Sequence, residues 1–167
     1  MEQLRMSRDN SPAPAFKFPE GFTVAPYREG DWESWCRCCI DGELGLTEIS
    51  EEQFDKIMGS DDKVRLENIF FVLSPEGRAV GTVTYQHRED RSEANVHMVS
   101  VEREYRGMGI SAPMVAHAVK KMIGEGVSKI YLSTDDWRIP AIKTYLKCGF
   151  APIIDSDEMA GRWGKII

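Results

Sequence analysis

Between Val99 and Pro113 the chain reads Val-Ser-Val-Glu-Arg-Glu-Tyr-Arg-Gly-Met-Gly-Ile-Ser-Ala-Pro, a β-rich run that passes through an arginine and two glycines into a helical stretch. The chemistry this order suits is the binding of phosphate. Gly107 and Gly109 let the main chain approach a bulky anion, and the first turn of the following helix offers unpaired N–H groups and a partial positive charge. Arg106 adds a permanent positive charge beside them. Gly107-x-Gly109-x-x-Ala112 matches a dinucleotide fingerprint, with Asp135 and Asp136 lying about 20 residues on, where a ribose-binding acid is expected. That reading would make the protein an NAD(P)-dependent oxidoreductase. The same turn also reads as Arg106-x-x-Gly109-x-Ser111, a loop of small residues behind an arginine.

The elements that must position this turn discriminate between the two. A dinucleotide fold carries its fingerprint on the first strand of an alternating βα chain. Here the turn lies past mid-chain, behind strand-like Asn68–Leu73, a Ser74-Pro75-Glu76-Gly77 turn, Ala79–His87, a polar stretch from Arg88 to Glu93, and Ala94–Val101. β-branched and aromatic runs separated by short polar segments predict two hairpins, an antiparallel meander. After the turn, a helix over Ser111–Gly124, with Pro113 in its first turn, leads to a strand at Lys129–Ser133. A crossover helix makes that strand parallel to Ala94–Val101. A helix over Pro140–Lys147 closes at Gly149. Phe150–Ile154 and Arg162–Ile167 are expected to finish the sheet as a hairpin. Upstream, Phe22–Tyr27 reads as a strand and Asp31 as the cap of a helix reaching about Asp41. Ser50 with Gln53 forms a capping box before Phe54, Ile57 and Met58.

Length and composition fit one domain, because 167 residues at 42% hydrophobic can bury about 70% of the unfolded chain's surface around a single core. The expected organisation is an extended N-terminal arm over residues 1–20, broken by Pro12, Pro14 and Pro19, followed by one domain over 21–167. No apolar run approaches the ~20 residues needed to cross a bilayer, and the N-terminus lacks a signal-peptide core, so the expected location is the cytoplasm. A net charge of −6 argues against a nucleic-acid surface and toward a cationic acceptor. Cys36, Cys38 and Cys39 lack the paired spacing of a zinc site. Trp32, Trp35, Cys36, Cys39 and Ile40 recur at helical spacing, so two of the three thiols are expected in the core, and no metal is expected.

The order of elements resembles the GNAT superfamily of N-acetyltransferases across residues 21–167. The family's acyl-CoA loop is Arg or Gln, two residues, Gly, one residue, then Gly or Ala; Arg106, Gly109 and Ser111 match it, with Ser111 departing at the last position. A second motif of the family places Asn, two residues, Ala, and a Tyr four residues before Gly-Phe. Ala141, Tyr145, Gly149 and Phe150 stand at those positions, and Arg138 replaces the Asn. The resemblance implies an acyl-CoA N-acyltransferase fold: an α/β (α+β) chain with a mixed, mostly antiparallel sheet of six to seven strands and about four helices. Its fourth and fifth strands are parallel and splay apart to hold pantetheine. It implies that Val99, Ser100 and Val101 bind the donor acetyl-CoA along the strand. Arg106, Gly107, Met108, Gly109, Ile110, Ser111 and Ala112 would wrap its pyrophosphate, and Arg138, Ala141 and Tyr145 would line the same path.

Transfer of an acetyl group to a primary amine, in a small molecule or a peptide, follows from that resemblance. Tyr145 would protonate the departing thiolate. The base is open between His97, whose place matches a histidine of the arylalkylamine acetyltransferases, Glu93, which matches the glutamate of the histone acetyltransferases, and water. Residues 93 and 97 share strand parity and face the same way unless a bulge intervenes. Asp135 and Asp136, and the acidic segment Asp41–Glu52, are candidates to hold a cationic acceptor. A non-catalytic acyl-CoA sensor would keep Arg106–Ala112 and could dispense with acid and base. Many relatives are dimers, so a homodimer is compatible with the resemblance.

Overall fold

Seven strands, β1 (Leu4–Asp9), β2 (Thr23–Pro26), β3 (Ile69–Leu73), β4 (Ala79–His87), β5 (Glu93–Val101), β6 (Lys129–Thr134) and β7 (Ala151–Pro152), form one sheet in the order β2-β3-β4-β5-β6-β1-β7. The structure is a computed structural model and describes residues 1–59 and 65–167. Every neighbouring pair is antiparallel except β5 and β6. Among the described residues, five α-helices accompany the sheet: α1 (Trp32–Cys39), α2 (Glu51–Phe54), α3 (Ser111–Gly124), α4 (Ile139–Lys147) and α5 (Asp157–Trp163).

The strand alternation sorts the apolar side chains into two layers. On β3, Phe70 and Val72 join a core that includes Met114, Val115, Ala118 and Met122 of α3. Ile69 and Phe71 face the other way, toward Trp35, Cys36 and Cys39 of α1 and Phe54 of α2. The central strand β4 is buried along almost all of its length because helices cover it on both faces. The meander and the single βαβ crossover therefore agree with the sequence. One parallel pair supplies none of the repeated βα units of a dinucleotide-binding sheet.

Three expectations need correction. The N-terminal residues are not all a loose arm: Leu4–Asp9 pairs with the whole of β6 and with Met6–Ser7 opposite β7, and Leu4 and Met6 are fully buried. Burial of two such side chains stabilises by about 2 kcal/mol each, and the ladder to β6 adds to this against the cost of ordering the terminus. The C-terminal segment is a helix and not a strand. Ser156 accepts a hydrogen bond from the Met159 N–H, Asp157 and Glu158 occupy the first turn, and Met159 and Trp163 bury one face. With β1 already beside β6, only the two-residue β7 pairs beyond it. Finally, Cys38 joins Cys36 and Cys39 in the interior. Burial pushes the Cys38 thiol up to about 12, which leaves it a packing residue.

Local caps differ from their sequence reading in detail. Asp31 accepts from the Arg28 N–H instead of from the helix that follows. Ser50 does cap α2 through the Gln53 N–H, while the Gln53 amide oxygen accepts from Thr47 and not from Ser50.

Arg8 fixes β1 to the end of α4. It is 6% exposed, its Nη1 donates to the Cys148 carbonyl oxygen at 2.6 Å, and its Nη2 donates to the Ser11 carbonyl oxygen. Replacing it strands a buried acceptor. Arg8→Ala is expected to cost about 2 kcal/mol. At ~2–4 °C per kcal/mol for a chain of this size, the melting midpoint should fall by about 4–8 °C. A midpoint within a degree of the wild type would show that the Arg8 tether adds nothing to stability.

Candidate active site

The site begins where β5 leaves β6. The two strands pair only through Glu93, Ala94 and Asn95 with Lys129, Ile130 and Tyr131. β6 stays paired on its other side to β1 as far as Thr134. From Val96 to Val101, β5 therefore keeps β4 as its one sheet neighbour. Within that stretch a bulge sets two residues of β5, Met98 and Val99, against Val83 alone. Met98 takes φ 51°, a left-handed conformation unusual for a residue with a long side chain, and packs toward the Trp35 cluster.

Two clefts open on either side of this bulge. The first, about 560 Å³, is bordered by Val99, Ser100 and Val101 of β5, by Arg106, Gly107, Gly109, Ile110, Ser111 and Ala112 of the turn and the start of α3, and by Arg138, Ala141 and Tyr145 of α4 and its N-cap. Every cofactor residue expected from the sequence lies there except Met108, whose side chain is 46% exposed and off the wall. Gly107 and Gly109 have φ near +80°, and a Cβ on either would meet nothing within 4 Å, so their main chain faces open space. No side chain caps the start of α3. Its free N–H groups and the partial positive charge of a 14-residue helix are left for an anion.

Arg106 does more than add charge. Its Nε donates to the Val101 carbonyl oxygen at 2.9 Å and its Nη2 to that of Asp41 at 3.1 Å, which fastens the turn to β5 and to the segment after α1. Arg138 donates to the neighbouring Gly42 carbonyl oxygen at 3.0 Å. Ser100 Oγ donates to the Cys38 carbonyl oxygen at 2.7 Å. Asp41 and Glu43 border this cleft and Leu44 the second, so the segment singled out as acidic contributes walls to both.

The second cleft, about 410 Å³, is polar and includes Gln3, Gln86, Arg88, Asn95, His97 and Arg138. His97 thus borders this second cleft. Glu93 is placed elsewhere: it accepts from the Tyr131 hydroxyl at 3.2 Å, lies 3.6 Å from Arg88 Nη1, and borders neither cleft. Asp136 is ion-paired with Arg162 of α5, whose hydrogen bonds hold its carboxyl below the usual range despite some desolvation. Asp135 accepts from Gln3 Nε2 at 3.1 Å. Asp135 and Asp136, two of the carboxylates expected to hold a cationic acceptor, are thus engaged with the protein's own side chains. His87, bonded to Glu125, and His117, packed edge-on against Phe70, also lie outside both clefts.

Val99, Arg138 and Tyr145 border both clefts, so these three mark the junction. Tyr145 is 7% exposed and stands edge-on to Phe150 at 6.2 Å. Burial pushes its phenol up to about 12, with Arg138 pulling the other way. It remains a proton donor across the neutral range. The sequence reading missed Gln3, Gln86, Arg88 and Asn95. The signal available was cross-strand register: Gln86 opposes Asn95, and Thr84 opposes His97, which places polar groups on one face of otherwise buried strands.

Comparison with known proteins agrees with this geometry. A family model described as the acetyltransferase (GNAT) family matches residues 17–150. Mycothiol acetyltransferase of Corynebacterium aurimucosum is 30% identical over 66 residues, 39% of this chain and 22% of that protein. N-acetylaspartate synthetase of Danio rerio is 27% identical over 89 residues, 53% of this chain and 32% of that protein. The chain thus spans about a third or less of these curated relatives. Among solved structures, a GCN5-related N-acetyltransferase from Sphaerobacter thermophilus superposes with a TM-score of 0.73 at 23% identity, covering 92% of this chain and 50% of that one. With a family model spanning most of its length and the parted parallel strands that the acyl-CoA loop requires, the chain belongs to the GNAT acetyltransferase family.

Proposed function

We propose that the protein transfers an acetyl group from acetyl-CoA to a primary amine by direct attack in a ternary complex. The observation that carries the reading is the meeting of two clefts at Tyr145, Val99 and Arg138, one walled by the anion-binding turn and the other by polar side chains. The open edge of β5 suits an extended pantetheine arm, which can pair with main-chain groups as an added strand does. The turn and the N-terminus of α3 suit the pyrophosphate.

Each residue at the junction has a task. A lysine-like amine with a pKa near ~10.4 is mostly protonated at pH 7, so its proton must be accepted, and His97 on the acceptor side is the group placed to take it, directly or through water. The amine nitrogen then bonds to the thioester carbonyl carbon. A backbone N–H at Val99 stabilises the oxygen as it becomes negative. As the carbon–sulfur bond breaks, the Tyr145 hydroxyl gives its proton to the sulfur, the Arg138 cation beside it favours the transient phenolate, and the excess proton still on the new amide nitrogen restores the phenol through water. A cleft for a second reactant at the same junction favours turnover over a non-catalytic sensor.

Three measurements test this reading. Calorimetric titration with acetyl-CoA, NADH and NADPH in parallel should show binding of acetyl-CoA alone; heat from a nicotinamide nucleotide instead would return the turn to the dinucleotide reading. Tyr145→Phe should lower kcat by about 100-fold and change acetyl-CoA affinity little. Because the phenol is held up near 12, the wild-type rate should show no basic limb from Tyr145 below pH ~10; undiminished turnover in Tyr145→Phe would remove it from the mechanism. His97→Ala should abolish the acidic limb of kcat/KM, and a limb that persists would assign proton acceptance to water or another group.

A further inference from the structure

The acceptor cleft is cationic although the protein is acidic. Arg88 and Arg138 border it, and among the described residues no Asp or Glu does. Arg88 is held in place from several directions. Its guanidinium carbon lies 3.7 Å from the centroid of the Tyr131 ring, its Nε donates to Asn95 Oδ1 at 3.0 Å, and its Nη1 lies 3.6 Å from Glu93 Oε2. These contacts fix the plane of the fork and engage Nε and Nη1, while the side chain stays 40% exposed. Arg138 donates to the Gly42 carbonyl oxygen, and no carboxylate forms an ion pair with it among the described residues. Two planar cations, one pre-oriented by stacking and the other without an anionic partner, suit a carboxylate, whose two oxygens match the guanidinium fork.

A second observation concerns Gln86 on the same wall. Its Oε1 is buried and has no hydrogen-bond partner. A buried amide oxygen left without a donor costs about 1–3 kcal/mol, so the wall is incomplete until an N–H arrives. Gln86 opposes Asn95 in the β4–β5 register, one pleat from the Thr84–His97 pair. It therefore sits close to the group that accepts the amine's proton.

We propose that the acceptor is an amine that also bears a carboxylate. Its carboxylate is bound by Arg88 and Arg138, and one of its N–H groups donates to Gln86 as another proton leaves toward His97. The proposal rests on the acyl-transfer reading and narrows it to amino-acid-like acceptors. Glu93 steadies Arg88 in this arrangement.

The test uses paired acceptors that differ by the carboxylate alone: alanine with ethylamine, γ-aminobutyrate with propylamine, phenylalanine with phenethylamine, and lysine with pentane-1,5-diamine. CoA release is followed for each at saturating acetyl-CoA, and acetyl-CoA affinity is measured on the same preparation. In at least one pair, kcat/KM for the amino acid should exceed that of its partner by about 10- to 100-fold, the range of a charge-assisted pair of hydrogen bonds. Arg88→Gln should bring that ratio to within about threefold. Arg88→Lys, which keeps the charge and loses the fork, should give an intermediate ratio with an unchanged melting midpoint. A wild-type ratio at or below one in every pair overturns the proposal, as does a ratio that survives in a folded Arg88→Gln, and so does a panel with no turnover at all. In each of these cases, retained acetyl-CoA binding leaves the acyl-transfer reading standing, whereas failure to bind acetyl-CoA would remove both.

Discussion

A sheet that stops pairing halfway along two central strands leaves main-chain groups with nowhere to go, and this protein is organised around that gap. After Asn95, β5 has lost β6 as a neighbour, although both strands continue. Buried peptide groups without partners are costly, so such a gap persists only where solvent or a ligand fills it. The remainder of the fold keeps the gap open. β6 is held on its far side by six residue pairs with β1, and β5 by its antiparallel ladder with β4 and by the bulge at Met98. Neither strand can slide back toward the other without breaking a ladder that is already satisfied.

The end of α1 performs the complementary task of gathering the parts that border the gap. A helix C-terminus presents carbonyl oxygens and a partial negative charge, which attract donors, cations above all. Here the carbonyl of Cys38 takes Ser100 Oγ, that of Asp41 takes Arg106, and that of Gly42 takes Arg138. The last turn of α1 and the 3-10 turn Ile40–Gly42 that follows thus fasten β5, the anion-binding turn and the N-cap of α4 to a common point. A further clamp lies beneath it: Glu102, 8% exposed, accepts from Arg37 on α1 and from Arg78 at the start of β4. The arginines of the site consequently act first as struts, and only their outward faces are left for a ligand.

Local order was legible in the sequence and long-range order much less so. The meander, the crossover helix and the positions of Arg106, Gly109 and Tyr145 follow from periodicity, turn chemistry and motif spacing, all of which act over a few residues. The place of Leu4–Asp9 does not, because nothing in a six-residue run announces that its partner lies at 129–134, at the far end of the chain. Once that strand occupies the flank of β6, the sheet has little use for a C-terminal strand, and the capping signal at Ser156 with Met159 and Trp163 prevails over an apolar ending. The second cleft was hidden for the same reason. Gln3 precedes β1, Arg88 follows β4 and His97 lies in β5, and only tertiary pairing brings them to one wall.

Net charge proved a poor guide to that wall, and the physics explains why. A total of −6 is a sum over the whole surface, whereas the field inside a cleft is set by groups within roughly one Debye length, about 8 Å at physiological salt. Asp135 and Asp136, which a sequence reading would aim at a cationic acceptor, are instead engaged by Gln3 and Arg162. Arg88 and Arg138 remain on the wall. Surface acidity and a cleft bordered by arginines are therefore compatible in one small domain, since the first governs solubility and long-range attraction and the second sets the field near Tyr145.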